Sequence, residues 1–323
     1  TDPRRRNLGR LSIVTFHRVL PETERNKYPY PGLVVLPQEL DILLKYFNEL
    51  FDCGPLTTQH VRHVSGEESP RPLLALTFDD GQHDNYLHAR PVLARHQLKA
   101  SFFVPVVATE RRELLWHDRL GFAILALVRK ADFGQERLTR TLSAAGLSAS
   151  GPGTVVENVV AASKRLTLDA RLNLVTALSE AADAGQVPKF ARLMTFEEIA
   201  ELAADGHEIG SHSMTHCLMP ECDDRELAYE LSESRNILRK RLAQPIESFC
   251  YPNGDADRRT ANAVAKAGYL RAVTTTWGHN ELGADPFQLR RFDMDPERVR
   301  NSRGKFLPAL LAFRMSGLHP KLG

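Results

Sequence analysis

The sequence predicts an α/β protein built on a mainly parallel sheet, open or closed into a barrel, with a helical insertion in its middle. Three observations predict it. Short β-branched or apolar runs alternate with segments of helical spacing at both ends of the chain, and polar clusters fall where those runs stop. Between them, residues 111–192 carry Ala/Leu-rich helical stretches interrupted by a Ser/Gly loop at 143–153, with no comparable strand run.

In chain order, residues 11–17 (LSIVTFH) read as a buried strand ending in His17. From Pro37 onward Leu40, Leu43, Leu44, Phe47 and Leu50 recur at three- and four-residue spacing, the pattern of a helix that Gly54-Pro55 ends. Residues 73–78 form the next strand, Asp79-Asp80-Gly81 follows, then a helix over 84–96 and a strand over 100–107. Beyond the insertion come a helix at 196–204, a strand at 207–211, a long polar-faced helix at 223–242 and a strand at 246–251. A helix at 258–267 closed by Gly268, a strand at 272–276 and a late strand at 289–294 complete the rhythm, and a helix near 305–315 is apolar on one face. The expectation is one catalytic domain over 10–323 carrying the insertion at about 111–192.

Composition narrows the function classes. The chain has 323 residues, 42% hydrophobic and 25% charged, which is globular usage. Apolar runs such as 11–16 and 72–78 are far short of the roughly 18 residues needed to cross a bilayer, so no transmembrane segment is expected. A net charge of +2 supplies no field that would concentrate nucleic acid, and none is expected as a partner. Cys53, Cys217, Cys222 and Cys250 are too sparse for a disulfide scaffold and contain no C-x-x-C pair, so they read as reduced thiols. No positively charged segment followed by an apolar h-region and a small-residue cleavage site opens the chain. The expectation is a trimmed start, with the cytoplasm slightly favoured, an exported form left open and the oligomeric state undetermined.

Three clusters carry the chemistry. Asp79 and Asp80 repel each other unless a cation or a shared proton relieves them, although an Asp-Gly turn explains the same letters. His212 and His216, four apart, can put two imidazoles on one side of a turn and so chelate a borderline-soft ion, or can simply be surface histidines. The zincin pattern fails, because Ser213 stands where Glu would be required. Tyr251-Pro252-Asn253-Gly254 closes a strand as an ordinary turn, or aims a backbone N–H at a reacting oxygen.

In tandem, Thr77 to Gly81 (TFDDG), His212 to His216 (HSMTH) and Tyr251 to Gly254 resemble the polysaccharide deacetylase family, the NodB homology domain of carbohydrate esterase family four. The likeness covers about residues 10–110 and 190–295, leaving the insertion outside. It implies a distorted (β/α) barrel of about seven strands. It also implies a divalent metal, most suitably Zn2+ for two imidazoles and one carboxylate, held by Asp80, His212 and His216. Asp79 would be the general base toward an acidified water, and the N–H of Tyr251 would face the oxyanion.

Two features depart from the family pattern. The usual Leu-x-His strand after the third motif is missing; later histidines are only His279, in an Asn/Gly-rich loop, and His319, in the tail. A strand ending in histidine stands instead at the amino end, Val14-Thr15-Phe16-His17, as in poly-N-acetylglucosamine deacetylases that look circularly permuted, so His17 is expected to be the general acid. The usual third-motif Arg is also missing, and Arg290 or Arg291 is the candidate to orient Asp79. The implied activity is hydrolysis of the N-acetyl group of an amino sugar in a polysaccharide, oligosaccharide or glycan precursor, with release of acetate. O-acetyl ester hydrolysis and a non-catalytic glycan-binding relative are the alternatives.

Overall fold

A computed structural model describes residues 8–183, 188–301 and 306–315; His319 lies outside them. The chain divides into two compact units. One contains Thr1–Glu22, Gly32–Arg112 and Leu193–Gly323; the other contains Thr23–Pro31 and Glu113–Arg192.

The main sheet of the first unit has eight strands among the described residues: β1 Leu11–Phe16, β2 Asp52–Gly54, β3 Leu73–Phe78, β4 Ser101–Val104, β5 Glu208–Ser211, β6 Ser248–Cys250, β7 Arg271–Trp277 and β8 Leu289–Asp293. The order β1-β8-β7-β6-β5-β4-β3 is closed by pairing of β1 with β3 from Leu11↔Leu73 to Phe16↔Phe78, so seven parallel strands form a closed barrel. β2 pairs with the first half of β3, opposite β1, while β4 takes the second half. The first and last strands are neighbours, through Val14↔Phe292 and Thr15↔Asp293.

Continuous apolar runs form these strands because both faces are covered. Alternation sends Leu11, Ile13, Leu73, Ala75, Phe103, Val273 and Leu289 into one cluster, the barrel interior. Their neighbours Val14, Phe16, Leu74, Leu76, Phe78 and Phe102 join the larger cluster beneath the helices. There the rings of Phe16, Phe78 and Phe102 stack across three strands at centroid spacings of 5.0 Å each, every ring contributing about 2–3 kcal/mol by burial. The helix begun by Pro37 stops at Leu50, so Asp52–Gly54 is strand where the sequence suggested helix.

All strands being parallel, their carboxyl ends open on one rim, where active sites of such barrels collect. His17 follows β1, Asp79 follows β3, His212 follows β5 and Tyr251 follows β6. In the second unit the helices Trp116–Val128, Ala131–Ala144, Val155–Ser163 and Leu168–Ala181 bury their own core of Leu120, Ile124, Leu127, Val159, Leu174 and Leu178.

Candidate active site

Asp80, His212 and His216 converge at the rim. Asp80 Oδ1 is 3.3 Å from His212 Nε2 and 3.2 Å from His216 Nε2, and all three side chains are buried. Backbone strain concentrates here: Asp80 (φ 71°), Ser213 (φ 67°), His216 (φ 58°) and Asn253 (φ 60°) all take left-handed conformations that cost a non-glycine residue about 1 kcal/mol or more. Each lies in one of the three motifs.

The donor chemistry fits a divalent cation. His212 Nδ1 donates to the carbonyl of Cys250 at 2.8 Å, which leaves the Nε2 lone pair turned toward Asp80 and His216. Two imidazole nitrogens and a carboxylate oxygen lie within 4.8 Å of one another, a set zinc accepts while keeping a position open. Electrostatics agree that positive charge belongs here. Burial alone would raise the Asp80 pKa, but hydrogen bonds to both histidines hold it well below the carboxylate range. Burial disfavours a proton on His212, yet Cys250 and Asp80 hold its pKa well above the ordinary imidazole value.

Asp79 lies beside this cluster with a different partner. Arg291, on β8, donates from both terminal nitrogens to its two oxygens, at 2.9 and 2.8 Å, and also to Thr15 Oγ1, Thr77 Oγ1 and the carbonyl of Thr274. Burial pushes the Asp79 pKa up, but the charge and hydrogen bonds of Arg291 prevail and bring it down to about 2. Of the two arginines considered from sequence, the structure selects Arg291. Its neighbour Arg290 points outward. His17 Nε2 is 4.0 Å from Asp79 Oδ2, with its side chain 19% exposed, and the His17 carbonyl accepts from Asn85 Nδ2 at 2.9 Å.

Comparison with known proteins bears directly on this geometry. A family profile described as Polysaccharide deacetylase matches residues 66–126 and 150–272, more than half of the chain, and those ranges contain Asp79, Asp80, His212, His216 and Tyr251. The chain belongs to the polysaccharide deacetylase family. A Bacillus subtilis (strain 168) relative, YxkH, is 24% identical over 117 residues, 36% of this chain and 42% of that protein, so the likeness spans less than half of its length. Among solved structures, the Streptococcus pyogenes deacetylase PplD in complex with acetate superposes with a TM-score of 0.61 at 18% identity, covering 95% of this chain and 98% of that one. IcaB from Ammonifex degensii does so with a TM-score of 0.56 at 17% identity, covering 89% and 93%. At such identities the superpositions establish a shared fold.

In this polysaccharide deacetylase family member the N–H of Tyr251 donates to the carbonyl of Val273 at 3.2 Å, continuing the β6–β7 pairing one residue beyond the strand. The Tyr251 hydroxyl donates to the carbonyl of Phe287. Two further histidines are engaged elsewhere: His83 pairs with Glu198 at 3.0 Å and His279 with Ser12 at 3.0 Å. Trp116 lies under the Arg171 guanidinium inside the helical unit.

A residue unmarked by sequence holds the histidine loop. Glu230, buried on the helix Asp224–Leu242, accepts the N–H groups of Met214 and Thr215 at 2.8 and 3.0 Å and the Thr215 hydroxyl at 2.6 Å. With Ser213 Oγ accepting from the His216 N–H at 2.9 Å, this carboxylate fixes the turn that brings His216 back toward His212.

Proposed function

We propose that this chain is a divalent-metal-dependent deacetylase that hydrolyses the N-acetyl group of an amino sugar in a glycan and releases acetate. The observation that carries the reading is the convergence of Asp80 Oδ1 on the Nε2 atoms of His212 and His216, with ionised Asp79 alongside. Family membership and the acetate-bound relative support the same chemistry. A zinc ion on those three donors would supply Lewis acidity toward an acetyl carbonyl and toward water.

The chain's own groups would manage the protons. Asp79, clamped by Arg291, stays ionised and can accept the proton of an attacking water, while the clamp aims its oxygens. His17 stands 4.0 Å from Asp79 with a partly open ring, and in this reading it protonates the leaving nitrogen. As the new C–O bond forms the C–N bond breaks, water's proton passes to Asp79, and a proton from His17 leaves with the amine. An acid in this place suits an amide more than an ester, because an amine departs only when protonated, whereas an alkoxide is the better leaving group. A glycan binder without turnover would have no need of Asp79 beside the ligand set.

The test is acetate release from matched N-acetylated and O-acetylated oligosaccharides. The reading expects release from the N-acetylated members, lost in Asp79→Asn with zinc content unchanged and reduced at least tenfold in His17→Gln. Release confined to O-acetylated substrates would replace it with the esterase reading. Full activity in Asp79→Asn would remove the base assignment.

A further inference from the structure

The segment after His216 ends at Cys222, one residue before Asp223 caps the helix Asp224–Leu242. Within it the Sγ atoms of Cys217 and Cys222 approach to 3.2 Å. The backbone between them is already fixed in a hydrogen-bonded turn: Glu221 N–H donates to Leu218 and Cys222 N–H to Met219, while Arg259 donates to the carbonyls of Pro220 and Cys222 at 3.0 and 2.8 Å. A disulfide of about 2.05 Å therefore requires roughly 1 Å of further approach by the sulfurs. Access is asymmetric, since Cys217 is buried and Cys222 half-buried. The remaining cysteines have other company: Cys53 lies against the carbonyl of Phe51, and Cys250 against Asp79 and Arg291.

We propose that Cys217 and Cys222 are a redox-active dithiol, a modification site that exchanges with small-molecule disulfides to form an intramolecular disulfide. Cys222 gives its thiol proton to solvent and attacks one sulfur of the small disulfide; that S–S bond breaks, and the first small thiolate leaves and takes up a proton. Cys217 then attacks the Cys222 sulfur, the mixed disulfide breaks, and the second small thiol leaves with the proton Cys217 has lost. The two cysteines together lose two electrons, and the small disulfide gains them. Of the pair, Cys222 is the more open for the first step, and Cys217 lies within reach of it for the second. The proposal rests on the Sγ–Sγ approach and not on the deacetylase reading.

The test treats the folded, reduced chain with excess glutathione disulfide at about pH 8, followed by intact mass, thiol titration and peptide mapping. The expected product has lost two of its four free thiols, carries no retained glutathione, contains a peptide two hydrogens lighter that bears both Cys217 and Cys222, and reverts with dithiothreitol. Cys53→Ser should close the same bridge, whereas Cys222→Ser should not. A stable glutathione adduct on Cys222 without ring closure would overturn the proposal. So would reaction at Cys53 or Cys250 while the pair stays reduced, or an inert chain whose circular dichroism is native.

Discussion

Replacing Arg291 by methionine tests the clamp on Asp79 in isolation. The two side chains are 1% and 3% exposed and share two hydrogen bonds of 2.9 and 2.8 Å, so removal of the guanidinium strands a carboxylate in the barrel interior. Breaking a buried pair from one side costs about 3–5 kcal/mol. The fall of the Asp79 pKa from 3.8 to about 2 gives a second scale: at about 1.4 kcal/mol per pH unit it amounts to about 2 kcal/mol. That figure is smaller because it is net of the opposing effect of burial, and Arg291→Met would expose that effect in full. The assay is urea unfolding of four chelator-treated proteins at neutral pH: wild type, Arg291→Met, Asp79→Asn and the double variant. Arg291→Met should lose about 3–5 kcal/mol, and the double variant should be at least about 2 kcal/mol more stable than the sum of the singles, since neither charge is then left alone. A loss under about 0.5 kcal/mol, or strict additivity, would refute the clamp.

Glu230→Ala strands two loop N–H groups and one hydroxyl; it should cost about 1–3 kcal/mol in urea unfolding and weaken zinc retention in equilibrium dialysis, while Glu230→Gln keeps more of both. Gly254→Ala should destabilise by more than about 1 kcal/mol, because at φ 78° the added methyl meets the Thr275 Oγ1 and backbone nitrogen; unfolding midpoints will show it. Burial, helped by Arg271 for His60 and by Lys99 for His207, lowers both imidazoles from 6.5 to about 4. Their contribution, up to about 3 kcal/mol each, is therefore complete above pH 6.5 and lost as pH falls toward 4. Urea midpoints should drop across that window, and less steeply in His207→Gln.

The convergence of Asp80, His212 and His216 beside Asp79 was legible because each motif is contiguous and sits where an apolar run stops. Position could not reveal which amide would be spent on pairing: Tyr251 N–H bonds to Val273 through a register between β6 and β7 that no local pattern encodes. Arg291 was half legible. Strand parity with inward Leu289 separates it from Arg290, but its target lies 212 residues away, just beyond β3. Glu230 is one of several glutamates on a polar helix, and only the folded turn distinguishes it. Asp52–Gly54 has no strand periodicity and becomes a strand because β3 offers an edge there. The closure of β1 onto β8 was foreseeable only from the displaced histidine strand.

The most direct measurement is zinc stoichiometry by elemental analysis after dialysis against a zinc buffer. Wild type and Asp79→Asn are each expected to hold one zinc per chain, and Asp80→Asn combined with His216→Gln to hold none while retaining native circular dichroism. A folded wild type that takes up no zinc or other divalent ion, or a doubly substituted chain that keeps its metal, would contradict the assignment of Asp80, His212 and His216 as ligands.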